Sequence, residues 1–266
     1  MRISAADSRA MLDLARGAAI KAGSMAIQTP ARTLRASTKS SPTDFVTEMD
    51  RAAEQLILET ILAARPDDGM VGEEGASKAS QSGISWLIDP IDGTTNYLRG
   101  IPNFSVSIAA VAEGEAVIGV VYDPTLGETF TAIRNQGAAL NDAPIECSMT
   151  AFAESIIGTG FSYSAAERTQ QADLLRAVLP AVGDIRRVGS AAISLCWVGC
   201  GRLDAFYETG LESWDFAAGS LIALEAGADV QGAECDQANG HLIIASAPTV
   251  TAGLRQILRE KPWDSQ

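Results

Sequence analysis

The sequence predicts a mixed α+β / α/β chain of 266 residues, with an antiparallel meander sheet in its N-terminal half and an α/β C-terminal half. Three observations lead there. Residues 4 to about 28 carry Met11, Leu12, Leu14, Ala15, Ala18 and Ala19 at helical spacing. Residues 104–140 read F-S-V-S-I-A-A-V, A-V-I-G-V-V-Y-D and E-T-F-T-A-I, separated by E-G-E and D-P-T-L-G turns. After about residue 150, short apolar runs alternate with helical patterns. Hydrophobic residues make up 47% of the chain, enough for well-filled cores at this length.

In order, the first amphipathic helix is followed by the polar stretch K-S-S-P-T-D-F-V-T-E-M-D and a second helix that ends near Ala64, before Arg65-Pro66. G-M-V-G-E-E-G and S-W-L-I-D read as short strands ending in acid, and the meander comes next. The second half reads as strand S-I-I-G-T-G, a helix near 165–182, D-I-R-R-V-G, a helix near 191–199, strand D-A-F-Y-E, a helix near 214–225, strand L-I-I-A-S and a last helix. We place the division at 1–148 and 149–266, with most candidate ligands in the first part.

Composition narrows the function. A net charge of -13 opposes bulk attraction to nucleic acid or anionic lipid, which need a basic face. No segment reaches the roughly 18 consecutive apolar residues of a membrane span, and the charged N-terminus is unlike a secretory signal, so the expected location is the cytoplasm. Four cysteines (Cys147, Cys196, Cys200, Cys235) without a C-x-x-C pair, and one histidine, His241, do not make an ordinary zinc site. One histidine distant from any G-x-S-x-G speaks against a serine hydrolase, and neither a dinucleotide fingerprint nor a P-loop occurs.

The chemistry concentrates in W-L-I-D-P-I-D-G-T-T-N-Y, residues 86–97. An apolar strand delivers Asp89, and Pro90 is expected to turn the chain so that Asp92 points back into the same space. Gly93 allows close backbone approach, and a helix starting there would present free N–H groups to a phosphate. Two carboxylates without histidine suit a hard cation such as Mg²⁺, which prefers oxygen ligands and shares them with phosphate. Further acids are therefore sought, and the candidates are Glu73 and Glu74 in G-E-E, Asp44 and Asp50 in D-F-V-T-E-M-D, and Asp215 in E-S-W-D-F-A-A-G. Singly, each has a bland reading: Asp50 and Glu54 as an exposed helix face, Glu73-Glu74 as a solvated turn, Asp215 as a helix cap. Glu74 is expected to point away from its neighbour. Asp44 reads as a cap or an outer group, and Lys39 as a loop lysine or a phosphate contact. The D-x-x-D spacing differs from the D-x-D of haloacid-dehalogenase phosphatases.

G-E-E, W-L-I-D-P-I-D-G-T-T-N-Y and W-D-F-A-A-G, with K-S-S-P-T-D-F-V-T-E-M-D upstream, resemble the signature blocks of the inositol monophosphatase family in order and spacing over nearly the whole chain. That family lies within the Mg²⁺-dependent, lithium-sensitive phosphatases. The resemblance implies a layered αβαβα sandwich of the sugar phosphatase type, two or three Mg²⁺ ions, a small-molecule phosphate ester as substrate and a homodimer. It implies that Glu73, Asp89 and the Ile91 carbonyl hold one ion and that Asp89, Asp92 and Asp215 hold a second, with a weaker third near Glu73. Thr94, paired with Asp50, would bind the attacking water, and either that pair or Glu73 would receive its proton. The Gly93 and Thr94 amides would hold the phosphate, with Asp92 and Asp215 also facing the substrate. Glu208 and the Ala191 backbone would meet the polyol. Inositol monophosphate is the expected substrate; fructose-1,6-bisphosphate, a nucleotide 3',5'-bisphosphate or histidinol phosphate are the alternatives, and a regulatory protein-binding role is a reading from another class.

Overall fold

The computed structural model describes residues 3–29, 36–38, 45–232 and 241–259, so Lys39, Asp44 and Cys235 lie outside the described residues. Five layers alternate: helices, sheet, helices, sheet, helices. Helix α1 (Ala5–Gln28) starts at Ser4, whose side chain accepts from Asp7 N at 3.1 Å. A two-stranded pair, β1 (Ala36–Thr38) with β2 (Phe45–Thr47), precedes α2 (Glu48–Ala64). Strands β3 (Gly69–Gly72), β4 (Ser77–Lys78) and β5 (Ile84–Asp92) lead through the short helix α3 (Thr94–Arg99) to β6 (Ser105–Ala112), β7 (Glu115–Asp123), β8 (Glu128–Ile133), β9 (Ala138–Leu140) and β10 (Ala143–Pro144). Together they form an eight-stranded sheet in the order β10-β9-β8-β7-β6-β5-β3-β4. The meander from β5 to β10 is antiparallel as expected, whereas β3 runs parallel to β5.

The second half contributes β11 (Ile156–Thr159), α4 (Ala165–Val178), β12 (Asp184–Arg186), α5 (Ala191–Gly199), β13 (Ala205–Glu208), α6 (Ser213–Glu225), β14 (Asp229–Gln231), β15 (Ile243–Ser246) and α7 (Pro248–Arg259). Its sheet has the order β12-β11-β13-β15-β14. The fourth helix ends at Val178 rather than 182, because Leu179 and Pro180 continue as a single 3-10 turn.

Strand periodicity explains the layering. Val106, Ile108 and Ala110 of β6 face α1 and α2, while Ala109 between them faces α5 and α6. On β13, Phe206 faces α5 and α6, while Ala205 and Tyr207 face α4 and α7. The middle helix layer is therefore apolar on both sides, as one covered by two sheets must be. It lies close to the first sheet: a Cβ built on Gly119 of β7 would sit 2.8 Å from the Ala218 carbonyl oxygen of α6. Among the described residues no helix is long and apolar enough to cross a membrane.

One buried polar knot ties α1, α2, β3 and β5. Asp68, 2% exposed, accepts from Arg65 Nε at 2.5 Å, Ser82 Oγ at 2.6 Å and Trp86 Nε1 at 2.9 Å, and Arg65 also reaches Asp7 at 3.0 Å. Asp68→Ala leaves the buried Trp86 Nε1 without its acceptor and takes from the partly exposed Arg65 one of its two carboxylate partners, so it should destabilise the protein by about 2–3 kcal/mol. Thermal or denaturant unfolding measures this, and a loss below about 1 kcal/mol would show that the knot is not a cornerstone of the fold.

Candidate active site

Asp89 and Asp92 lie three residues apart, a spacing that puts side chains on opposite faces of a regular strand. The turn expected at Pro90 is replaced by a bulge inside β5. Asp89 pairs with Ser107 and Asp92 with Ser105, so three steps along β5 match two along β6. The extra residue restores a common face, and both aspartates converge.

Burial then sets their chemistry. Asp89 is 2% exposed, and its Oδ1 accepts from Ile91 N at 3.0 Å. Its carboxyl is held well above the usual range, first by burial and then by the charges of Glu73, Asp92 and Asp215, and it hydrogen-bonds Glu73. Glu73 is fixed beside β5 by its own amide, which donates to Ile88 O at 3.1 Å. Burial pushes Asp92 up to about 6 although its Oδ2 accepts from Ser190 Oγ at 2.5 Å and Ala192 N at 2.7 Å. The Ala191 amide, expected to meet a polyol, also donates to Asp92. Asp215, near the start of α6, accepts from Glu212 N at 2.7 Å and is raised by burial, then by Asp92, with Glu73 and Glu208 adding to it.

The second arm comes from α2. Asp50, 1% exposed, caps that helix by accepting from Thr47 N at 2.8 Å and from Thr47 Oγ1. Its other oxygen accepts from Thr94 Oγ1 at 3.1 Å, and the same hydroxyl lies 3.1 Å from Ile91 O. Burial again is the main reason Asp50 rises to about 6. The Thr94 hydroxyl donates its proton to one of these acceptors at a time, which leaves its oxygen able to accept from a water. Glu54, read above as exposed, is only 5% exposed, and Glu74 turns away towards Arg51 Nε at 3.8 Å.

Gly93 starts α3 with φ 97, and a Cβ there would sit 3.0 Å from Gly189 O and 3.3 Å from Asn103 O. Lacking a side-chain cap, the first turn presents its N–H groups to whatever occupies the site. Asn96, which the motif contains but our sequence reading gave no role, donates from Nδ2 to Asn103 O at 2.8 Å and Val188 O at 3.0 Å. It fastens the loop that carries Ser190 beside Asp92. A polar residue following D-G-T-T at the start of a short helix was the available signal for it.

At the far edge, Glu208 ends β13, half-buried, with its carboxylate packed directly over Gly160, where any Cβ would overlap it. Burial raises Glu208 to about 8, with Arg187 pulling the other way and Asp92 adding to the rise.

Among the described residues no three Asp, Glu, His or Cys side chains are grouped closely enough to hold an ion as they stand. The donor set nevertheless fits a hard cation: Glu73, Asp89, Asp92 and Asp215 offer only oxygen donors, and the charged groups that act on Asp89 are themselves acidic. Positive charge is what such a cluster lacks.

The profile of the inositol monophosphatase family matches residues 7–262. The chain is 40% identical over 250 residues to "Nus factor SuhB" of Pasteurella multocida, covering 92% of each chain. It is 41% identical over 236 residues to the "Inositol-1-monophosphatase" of Mycobacterium leprae, covering 83% of this chain and 80% of that one. Among solved structures, the suhB protein of Bartonella henselae superposes with a TM-score of 0.90 at 36% identity, over 95% of this chain and 100% of the other. The Thermotoga maritima IMPase gives 0.87 at 34% identity, over 94% and 97%. With the acid-lined bend, the five-layer fold and these matches together, the chain belongs to the inositol monophosphatase family and is a phosphoric monoester hydrolase.

Proposed function

We propose that the chain hydrolyses inositol monophosphate to inositol and phosphate, with two or three Mg²⁺ ions held by Glu73, Asp89, the Ile91 carbonyl, Asp92 and Asp215. Bound there, Mg²⁺ supplies charge neutralisation for the phosphate and makes a water nucleophilic near neutral pH. The observation that carries the reading is the Thr94 hydroxyl, 3.1 Å from both Asp50 Oδ1 and Ile91 O at the edge of the buried acids. Thr94 Oγ1 accepts a proton from the attacking water while passing its own to Asp50, which burial has brought into the range of a general base. The Gly93 and Thr94 amides orient the phosphate oxygens, and Glu73 is a second acceptor for the proton. Water oxygen bonds to phosphorus as the ester P–O bond breaks, with no covalent enzyme intermediate, and the departing alkoxide takes a proton from solvent to become the alcohol.

Glu208 supports a polyol as the leaving group. A half-buried carboxyl raised to about 8 is protonated near neutrality and exchanges hydrogen bonds with hydroxyls at little charge cost. In this reading residues 1–148 supply most of the chemistry and 149–266 supply Asp215 and the alcohol contacts. The protein works in the cytoplasm as a homodimer.

A panel of phosphate esters assayed with Mg²⁺, with chelator and with lithium tests the proposal. Inositol monophosphate should be turned over fastest, and chelator or lithium should stop it. Metal-independent turnover, or no activity on any ester, would sink the idea. Glu208→Gln should reorder the panel, raising KM for inositol monophosphate about tenfold while leaving simple alkyl phosphates unchanged. An unaltered ranking would remove Glu208 from the alcohol site. The relatives named "Nus factor SuhB" favour a second reading, a protein-binding role that persists when catalysis is lost. Stoichiometric recovery of one partner by both the native protein and Asp92→Asn would support it.

A further inference from the structure

Helix α2 carries two buried acids one turn apart, Asp50 and Glu54, at 1% and 5% exposure. Residues four apart share a helix face, so both point the same way. Asp50 is accounted for by Thr94. Glu54 has both oxygens occupied: Oε2 accepts from Glu74 N at 2.9 Å and Oε1 from Ala76 N at 3.0 Å.

Those two amides belong to the turn that presents Glu73. The turn is closed by Gly72 N donating to Ala76 O at 2.9 Å and Gly75 N donating to Gly72 O at 3.3 Å, with Gly75 at φ 108. Gly72 is required to be small for a specific reason: a Cβ there would overlap the Glu54 carboxylate. Glu73 therefore sits in a clamp. On one side its amide is fixed to Ile88 O of β5, and on the other the residue after it is fixed to Glu54. A buried carboxylate is costly unless hydrogen-bonded, and charge-assisted N–H bonds are about twice as strong as neutral ones. The turn and the carboxylate thus hold each other in one geometry.

We infer that Glu54 is a positioning residue for Glu73, so that one face of α2 sets both proton-handling arms of the site: Thr94 through Asp50 and Glu73 through Glu54. This rests on the proposed role of Glu73. Glu54→Gln keeps one acceptor and turns an NH₂ group against the other amide, loosening the turn without removing volume.

The full-length protein with Glu54→Gln is compared with native protein and Glu73→Gln by steady-state kinetics on inositol monophosphate, Mg²⁺ titration calorimetry and hydrogen exchange. Glu54→Gln should lower kcat about 10- to 100-fold and weaken Mg²⁺ binding by a similar factor. KM for the ester should stay within about twofold, and exchange at the Glu74 and Ala76 amides should quicken while the helix amides keep their protection. Faster exchange with native kcat and native Mg²⁺ affinity overturns the inference and leaves the reading of Glu73 intact, provided that Glu73→Gln is inactive in the same assays. Native kcat in Glu73→Gln overturns that reading itself. Should Glu54→Gln fail to fold, Gly72→Ala displaces the same carboxylate with a methyl group. It should give the same fall in kcat at constant KM, and native kcat there overturns the inference.

Discussion

Asp89→Asn is expected to lower kcat about a thousandfold or more while raising the melting temperature of the chelator-treated protein at pH 8 by about 3–6 °C. Both effects have one source. Asp89 is the most crowded of the acids, 2% exposed and raised by burial and by Glu73, Asp92 and Asp215. At pH 8 the unfolded chain holds this group ionised. Folding must then either protonate it or set a buried charge among like charges. Asparagine removes that penalty, and its oxygen still accepts from Ile91 N. It also removes the negative charge that the proposed Mg²⁺ site needs. Kinetics with Mg²⁺ and melting in chelator check the two halves separately. A variant that is destabilised, or that keeps its rate, contradicts the account.

The second large effect is a stability that falls as pH rises. Asp50 and Asp92 are each raised to about 6 and Glu208 to about 8, with burial the largest cause for all three, and Asp89 and Asp215 move in the same direction. Between about pH 4 and pH 8 the folded protein therefore binds more protons than the unfolded chain. Stability from these groups is fully present below the unfolded values and is lost as pH climbs through the folded ones. Asp68, whose three donors hold it below its usual range although burial opposes them, acts oppositely and only at lower pH. Saturating Mg²⁺ should reverse the trend, because its ligands must be deprotonated. At a hundredfold excess over Kd it stabilises by about 2.7 kcal/mol, or about 5–10 °C at this size. The gain should be larger at pH 8 than at pH 5. Melting curves across that range decide it, and an equal gain at both pH values would contradict the cluster's assigned role.

The elements were legible because alternation and helical spacing are local, whereas their layering came only with the family resemblance. Residues 104–140 read as a meander, which β6 to β9 form, and 191–199 as a helix with the observed ends. The parallel pairing of β3 with β5 was hidden, since nothing in either strand encodes its partner's direction. The acids show a different limit. Asp50 and Asp215 each have a local capping contact at the third position of a helix, and each also faces the acid cluster. Asp215 keeps the capping contact its bland reading gave it, whereas Asp50, read as an exposed helix face, is buried; the proposed site draws on both, because a helix start is a convenient way to aim a carboxylate. Glu54 was misread because its burial comes from the turn at 72–76, twenty residues away. Ser190 and Ala192 were missed because they meet Asp92 only through tertiary contact.

On the proposed roles the two sheets divide most of the labour at the site. The acids of β5 and the β3 turn belong to the eight-stranded sheet, whereas Glu208 lies on the five-stranded sheet, with Gly160 just past the end of β11. On those roles bond cleavage, Asp215 apart, and choice of alcohol fall to separate parts of the chain. Edits around residues 160 and 208 are then expected to change the substrate while leaving the acids of β5 in place. Divergence of this kind needs no new machinery, only a different fit over one glycine.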